Sequence, residues 1–280
     1  MIYAEVIGDP IAQSKSPKIH KFWLEKLGID ADYRAQLVIA DGVGAFLGSR
    51  REDRDWRGCN VTMPHKQAVQ PFLDTVSRDA SRIGAVNTIY RQADRLIGEN
   101  TDGEGFLEPL QPWLGQSHLF RMARVLGAGG AARAVAAALV DHGFTLVVAA
   151  RGTAKCEMIL APLPGEHHVT TLNHFAAPTD FEFDDREGLL DLVVNTTPLG
   201  MTGNPPLDFD FSHVPPGSVV YDIVTSPVRT PLLIAAEERG FRTIDGLAML
   251  VGQAAAAFRL FFGAEAPREH DAELRALLTA

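Results

Sequence analysis

The sequence predicts an α/β protein with a doubly wound sheet, and three observations carry that expectation. Arg124 to Val135 (RVLGAGGAARAV) runs from a short apolar strand through a glycine turn into an alanine-rich helix. Gly143 can end that helix in the left-handed conformation, and Phe144 to Ala150 (FTLVVAA) then reads as a buried parallel strand, which makes a βαβ opening. Two stronger strand candidates follow at Asp191 to Asn195 and Ser218 to Val224, the later strands of the same sheet.

A chain of 280 residues can bury a sizeable core and is expected to form two domains, although length alone also allows one large α/β domain. Its net charge of −9 argues against binding a phosphate backbone or an anionic lipid surface and favours a small-molecule partner. The two cysteines, Cys59 and Cys156, form no CxxC and no Cys/His cluster with zinc spacing, so neither a metal nor a disulfide framework is expected. The opening MIYAEVIGDP lacks the pattern of a signal peptide, and no apolar stretch reaches membrane-spanning length. A cytoplasmic protein with reduced thiols is the expectation.

Tyr3 to Ile7 reads as a strand, and Gly8, Pro10 and Pro17 break the chain into a loop before a helix that closes at Gly28. Ser14 and Ser16 in that loop have two readings. At i and i+2 of an extended segment both hydroxyls face one ligand, a carboxylate for instance; alternatively they are helix-capping serines ahead of Pro17. Alternation predicts a strand over Tyr33 to Val38, then a helix from Asp41, and a further strand over Gly58 to Thr62.

That strand ends at Met63-Pro64-His65-Lys66, with a helix expected from His65, so Asn60 and Lys66 sit at an edge where α/β sheets bind ligands. A lysine in a first helical turn opposes the macrodipole, which weakens a purely structural reading of Lys66; an ordinary solvated lysine is the alternative. Ala85-Val86-Asn87-Thr88 opens another strand, and Asn100-Thr101-Asp102-Gly103 precedes a helix beginning near Gly105, for which Asp102 can serve as N-cap. Pro109, Pro112 and Gly115 then mark a domain boundary.

In the glycine turn, Gly127, Gly129 and Ala132 hold the three small positions of G-x-G-x-x-G/A. They allow the tight turn, the close approach of backbone to a pyrophosphate, and close packing of helix on strand. The helix N-terminus supplies free N–H donors and partial positive charge. A plain strand-to-helix turn is the competing reading. Where a carboxylate would suit the ribose of NAD, this chain has Arg151 and then Lys155, with no Asp or Glu between Gly143 and Lys155. Unless these cations are merely solvated, the 2′-phosphate of NADP is the better match.

Beyond Lys155, His168 to Leu172 is a weak strand candidate, the helices are poorly marked, and Pro205, Pro206, Pro215 and Pro216 predict irregular connections. Thr230-Pro231 starts a helix that Gly240 ends, and Phe241 to Ile244 is the last strand. Leu247 to Phe262 (LAMLVGQAAAAFRLFF) is apolar nearly all round and predicts a buried helix whose one conspicuous polar residue, Gln253, needs partners in the core or on a ligand.

With these positions in place, the whole chain resembles the shikimate dehydrogenase family. Six motifs carry the resemblance in the family's order: Ile7 to Pro17 (IGDPIAQSKSP), Gly58 to Lys66 (GCNVTMPHK), Gly84 to Thr88 (GAVNT), Asn100 to Phe106 (NTDGEGF), Gly127 to Arg133 (GAGGAAR) and Asp245 to Gln253 (DGLAMLVGQ). The resemblance implies an N-terminal α/β substrate domain, residues 1–102, completed by the last helices, residues 245–280, around an inserted Rossmann domain, residues 103–244, that binds NADP. It implies that Ser14 and Ser16 hold the substrate carboxylate, that Thr62, Asn87 and Gln253 hold its ring hydroxyls, and that Lys66 and Asp102 form the catalytic pair. The cofactor shell it implies comprises Gly127, Gly129, Gly130, Ala131, Arg151, Lys155 and Thr196. No metal is needed, and a monomer or homodimer is expected.

The implied activity is the reversible oxidation of shikimate to 3-dehydroshikimate, in which a hydroxyl proton is removed while hydride leaves the same carbon for the nicotinamide. Three departures stand against the family pattern. Lys21 follows His20 where the family usually has Asn; Ala150-Arg151-Gly152 stands where it has Asn-Arg-Thr; and Thr225 stands where it places a substrate-contacting tyrosine. The last keeps two alternatives open: a paralogue acting on quinate or another cyclic hydroxy acid, and a ligand-binding relative without catalysis. Retention of both Lys66 and Asp102 speaks against the second.

Overall fold

The structure is a computed structural model and describes residues 1–183 and 188–280. It divides into two compact units, one formed by Met1–Gly105 with Val251–Ala280 and the other by Phe106–Leu250.

The first unit holds a six-stranded mixed sheet of β1 (Ile2–Gly8), β2 (Ala31–Leu37), β3 (Trp56–Val61), β4 (Thr75–Val76), β5 (Thr88–Gln92) and β6 (Arg95–Glu99), ordered β2-β1-β3-β5-β6-β4. β1 is parallel to β2 and β3, whereas β5 runs antiparallel to both β3 and β6. Helices of this unit are α1 (Ser16–Leu27), α2 (Val43–Glu52), α3 (Arg78–Ile83) and, at its junction with the second unit, α4 (Asp102–Leu107). Alternate residues of β1 serve opposite faces, as a strand covered on both sides requires. Tyr3 and Ile7 join a core with Val43, Leu47, Trp56 and Ile89, while Ala4 and Val6 meet Tyr33, Ala257 and Phe261. Gly28 ends α1 at φ 63°, the left-handed stop that its glycine predicts.

Three expectations about this unit need correction. No helix starts at His65: residues 63–69 form turns and pass into a 3-10 turn at Gln70–Phe72. Pro64 and Pro71 bracket too short a stretch, and Pro71 has no N–H to continue a helix. The macrodipole argument about Lys66 therefore falls. The helix expected near Gly105 begins at Asp102 itself, and the side chain that receives a backbone N–H there is Asn100, whose Oδ1 accepts from Asp102 N–H at 3.0 Å. The Ser14–Ser16 segment is not extended, because Lys15 lies in the right-handed helical region (φ −84°, ψ −10°).

The second unit holds a six-stranded parallel sheet of β7 (Phe120–Leu126), β8 (Thr145–Ala150), β9 (His168–Thr171), β10 (Leu189–Asn195), β11 (Val219–Asp222) and β12 (Arg242–Ile244), ordered β12-β11-β10-β7-β8-β9. Counted from β7, this is the doubly wound order, with the direction of winding reversing between β7 and β10. Its helices are α5 (Gln111–Leu114), α6 (Gly130–Asp141), α7 (Ala154–Leu160), α8 (Leu172–Ala176) and α9 (Pro231–Glu237). Five alanines of α6 are buried, which lets its backbone approach β7 and β8 closely. On one face Leu126, Ala149, Val193 and Val220 pack with Phe175, Leu232, Leu233 and Ala236. α7 and α8 are short, so their apolar residues, Cys156 and Ile159 in one and Phe175 in the other, give too little periodicity to mark them in the sequence.

α10 (Gly246–Phe262) is the long apolar helix the sequence predicts, and the division between the units falls within it; α11 (Asp271–Thr279) follows. Gly246 has no room for a side chain, since a Cβ would strike the carbonyl oxygens of Ile223 and Val224. Among the described residues, no helix is long and apolar enough to cross a membrane.

Candidate active site

Strand register assembles one polar edge in the first unit. Asn60 pairs with Thr88, and Thr88 pairs with Glu99, so the residues just beyond these strand ends, Thr62, Asn87 and Asn100 to Asp102, share that edge. Thr62 N–H bonds Ile7 O at 2.9 Å, which ties the end of β3 to that of β1. Gly8 leaves space for the Thr62 side chain, because a Cβ on Gly8 would sit 2.5 Å from Thr62 Cγ2.

At the centre, Lys66 Nζ lies 2.5 Å from Asp102 Oδ2, with side-chain exposures of 17% and 7%. The turn carrying Lys66 is fixed through its carbonyl, which accepts Val86 N–H at 2.7 Å, and through buried His65, whose Nε2 lies 2.6 Å from Val38 O. Asn87 Nδ2 donates to the second oxygen of Asp102 at 2.7 Å and to Thr101 Oγ1 at 3.0 Å. Its Oδ1 accepts Thr101 N–H at 2.8 Å. A cation and a carboxylate, both largely withdrawn from water and locked in a shared hydrogen-bond frame, can pass a proton to or from a hydroxyl placed against them. The backbone carbonyl of Gln253 accepts Thr101 Oγ1 at 3.1 Å, which binds α10 to the same frame.

Ser14 and Ser16 lie on the loop that leaves this same end of β1. Ser14 Oγ accepts Ser16 N–H at 3.3 Å, the N-cap of α1 is Lys15 without a side-chain cap bond, and Ser16 is the first residue of α1 and is buried. Among the described residues, no side-chain hydrogen bond joins Ser14, Ser16 or Thr62 to the Lys66–Asp102 group. The structure thus joins Lys66, Asp102 and Asn87 directly, and Gln253 through its backbone.

Sequence reasoning passed over Thr101 as a site residue and made little of Asn60 and Thr88. Asn60 is held by Tyr33 and Thr88 rather than exposed for a ligand. The available signal was the density of Asn and Thr at three strand ends, which a purely structural edge does not require.

In the second unit, Leu126 pairs with Ala149 on β8 and with Asn195 on β10. Gly127, Arg151 and Thr196 therefore follow the ends of three adjacent strands. Gly127 has φ 123°, and a Cβ there would collide with the Thr196 hydroxyl, which itself bonds Leu126 O at 2.8 Å. At Gly129, by contrast, a Cβ would meet no protein atom within 4 Å. Gly130 and Ala131 begin the twelve-residue helix α6, whose first N–H groups have no partner within the helix. Arg151 and Lys155 are exposed and make no hydrogen bond or ion pair among the described residues. This combination of an uncrowded glycine, free helix donors and unpaired cations fits the pyrophosphate and 2′-phosphate of NADP.

Two loops beside that edge are fixed by a buried group the sequence did not announce. Asn195 Nδ2 donates to Asp222 Oδ1 at 3.0 Å, and Thr230 Oγ1 donates to Asp222 Oδ2 at 2.7 Å. Burial raises the Asp222 carboxyl above its usual range, against the lowering by these donors. The loop so anchored carries Thr225, which is half-buried. Among the described residues, no three His, Cys, Asp or Glu side chains are grouped to hold a metal ion.

Comparison with known proteins agrees with this geometry. Residues 6–89 match the model of the shikimate dehydrogenase substrate binding domain, and residues 246–273 match that of the shikimate 5′-dehydrogenase C-terminal domain. Shikimate dehydrogenase (NADP(+)) of Sphingopyxis alaskensis is 50% identical over 280 residues, covering 99% of this chain and 97% of that relative. Shikimate 5-dehydrogenase from Thermus thermophilus, solved in complex with NADP(H) and shikimate, superposes with a TM-score of 0.83 at 34% identity, covering 99% of this chain and 100% of that one. Quinate dehydrogenase from Corynebacterium glutamicum, solved with NAD, gives a TM-score of 0.80 at 32% identity, with 99% of both chains covered. Half the residues are shared along nearly the full length of a relative, and the chain belongs to the shikimate dehydrogenase family.

Proposed function

We propose that this protein catalyses the reversible, NADP-dependent oxidation of shikimate to 3-dehydroshikimate. The observation that carries the reading is the Lys66–Asp102 pair, held by Asn87 at a strand-end edge in a chain of this family. In this reading the first unit is the substrate domain and the second is the NADP domain. When held by the glycine turn and the cations after β8, NADP+ would supply the hydride acceptor. The chain's own residues do the rest: Ser14 and Ser16 receive the carboxylate, Thr62 and Gln253 orient the ring hydroxyls, and Lys66 with Asp102 carries the proton of the reacting hydroxyl, while Asn87, whose amide hydrogens are taken by Asp102 and Thr101, holds Asp102 rather than a ring hydroxyl.

In the cofactor shell, Gly127, Gly129, Gly130 and Ala131 present backbone N–H groups to the pyrophosphate. Thr196 keeps the glycine turn in place, while Arg151 and Lys155 meet the 2′-phosphate. The enzyme acts as a monomer or homodimer in the cytoplasm, where its two buried, unpaired thiols, Cys59 and Cys156, stay reduced. Light scattering on the purified protein reads the subunit number.

A second reading is favoured by Thr225, which puts a short hydroxyl on the loop after β11 where the family pattern has a tyrosine: oxidation of quinate. Nicotinamide absorbance with purified protein, NADP and each acid in turn separates the two. Turnover with shikimate supports the proposal; turnover with quinate alone overturns it in favour of the second reading, and turnover with neither, with NADP or NAD, overturns both.

A further inference from the structure

The polar edge of the first unit extends well behind the ion pair, and its hydrogen bonds share one direction. Tyr33 O–H donates to Asn60 Oδ1 at 2.6 Å. Asn60 Nδ2 donates to Thr88 Oγ1 at 3.1 Å, and more weakly to Asn87 O at 3.4 Å. Thr88 O–H donates to Asn87 Oδ1 at 2.9 Å, and Asn87 Nδ2 donates to Asp102 Oδ1 at 2.7 Å. All five residues are buried. Each group that accepts from one neighbour donates to the next, always toward Asp102.

The direction is forced at its ends. Tyr33 is fully buried, and desolvation holds its phenol well above the ordinary value, so its O–H is present to donate. At the other end, Asn87 Oδ1 receives the backbone N–H of Thr101, a group that can only donate, so the amide cannot turn over without opposing two like dipoles. Between these ends, Asn60 must face its oxygen to Tyr33 and its nitrogen to Thr88. The single proton of Thr88 then goes to Asn87 at 2.9 Å in preference to Thr101 Oγ1, which lies farther away at 3.4 Å. The ring of Tyr33 is itself held flat against His20, with centroids 3.9 Å apart and planes 2° from parallel.

Asn87 spends both Nδ2 hydrogens within the protein, on Asp102 and on Thr101. Its amide is therefore arranged to hold a carboxylate, and the groups behind it decide how firmly. We propose that Tyr33, Asn60 and Thr88 are positioning residues, a one-way series of donors that fixes the Asn87 amide and, through it, the orientation of Asp102 beside Lys66. Aligned donors polarise one another, so the last bond is stronger than an isolated amide–carboxylate bond. Loss of the Tyr33 hydroxyl removes the shortest bond that orients Asn60 and leaves only the weaker 3.4 Å bond to Asn87 O against its turning over. Thr88 can then send its proton to Asn60 instead of Asn87, and the series breaks next to the carboxylate.

This inference rests on the proposed proton-transfer role of Lys66 and Asp102, and the experiment keeps the two apart. Steady-state kinetics with shikimate and NADP are measured on the full-length wild type, Tyr33→Phe, Thr88→Val, Thr88→Ser, Asp102→Ala and the Tyr33→Phe/Asp102→Ala double variant. Tyr33→Phe and Thr88→Val are expected to lower kcat roughly three- to tenfold with both KM values little changed. Thr88→Ser, which keeps the hydroxyl, is expected to retain kcat. In the Asp102→Ala background Tyr33→Phe is expected to cause no further loss, because no carboxylate remains to be oriented. A wild-type kcat in Tyr33→Phe, or a loss that multiplies with that of Asp102→Ala, would overturn the inference. Should Thr88→Val not fold, Tyr33→Phe and its double variant decide alone. A wild type without turnover overturns the proposed function itself, and this inference with it.

Discussion

Lys66 and Asp102 are 36 residues apart in sequence and 2.5 Å apart in space, and the second oxygen of Asp102 is taken by Asn87. A surface ion pair has no need of such a frame. Lys66→Ala is expected to lower kcat and kcat/KM together, by about 10²- to 10⁴-fold, with the shikimate KM changing far less. Asp102→Asn is expected to show a similar defect, and the double variant far less than the product of the two. Steady-state kinetics check this; a Lys66→Ala protein whose defect lies only in KM would make Lys66 a uniform binder of substrate. The fold is expected to survive, because Asp102 keeps its Asn87 donor, at a cost of about 1–3 kcal/mol read from urea unfolding.

Arg151 is exposed, without a partner among the described residues, at the end of β8. Its guanidinium can fork two bonds to a phosphate. Arg151→Ala is therefore expected to weaken NADP by roughly 1.5–3 kcal/mol, about ten- to a hundredfold, and to leave NAD nearly unchanged. Titration calorimetry with both cofactors checks this, and equal weakening of the two would place the arginine away from the 2′-phosphate.

Gly127 and Gly129 share one turn, yet they are expected to fail in different ways. Gly127→Ala puts a side chain into the Thr196 hydroxyl at a φ of 123°, so it is expected to destabilise the second unit by roughly 1–3 kcal/mol or more. Gly129→Ala meets no protein atom and is expected to keep the wild-type melting temperature while losing NADP affinity, since its methyl group enters the space a pyrophosphate requires. Thermal melts alongside cofactor titrations separate them. A Gly129→Ala protein with unchanged NADP affinity would remove the glycine turn from the binding site.

His20 is completely buried among Trp23, Tyr33, Phe258 and Phe261, with neither ring nitrogen hydrogen-bonded, and desolvation lowers its pKa from 6.5 to about 3. The unfolded chain takes up a proton near the ordinary value while the folded chain does not. Stability from this group is thus whole above pH 6.5 and falls as the pH drops toward 3, at about 1.4 kcal/mol per pH unit. None of the four rings around it is charged in that range. Urea midpoints measured from about pH 7 to about pH 4 are expected to fall less steeply for His20→Phe than for the wild type, whatever the offset at neutral pH. Parallel profiles would show that His20 titrates alike in both states.

The elements legible in the sequence were those with uninterrupted patterns. β7, α6 and β8 stand out because the buried end of β7 and most of β8 are apolar and half of the close-packed helix between them is alanine. The turn at His65 departs from the expected helix because a few residues between two prolines carry no periodicity of their own, and Asp102 kept a capping reading beside its other one because an acidic residue near a helix start suits capping. Lys66, Asp102 and Asn87 were each visible singly. What no local pattern encodes is the pairing of Asn60 with Thr88 and of Thr88 with Glu99, since register between distant strands is set by the whole sheet. The support given to Asn87 by Tyr33, Asn60 and Thr88 emerges only from that register.

Because residues 251–280 belong to the same unit as residues 1–105, the order of synthesis differs from the order in which the two cores can close. Ala4, Val6, His20 and Tyr33 emerge early from the ribosome, yet Ala257, Phe258 and Phe261, which cover them, are made last. The uninterrupted stretch from Phe106 to Leu250 has its whole core translated before then. A nascent chain therefore carries an uncovered apolar sheet face, Tyr33 included, until residue 261 has been added, and the half of the protein that begins first is finished second.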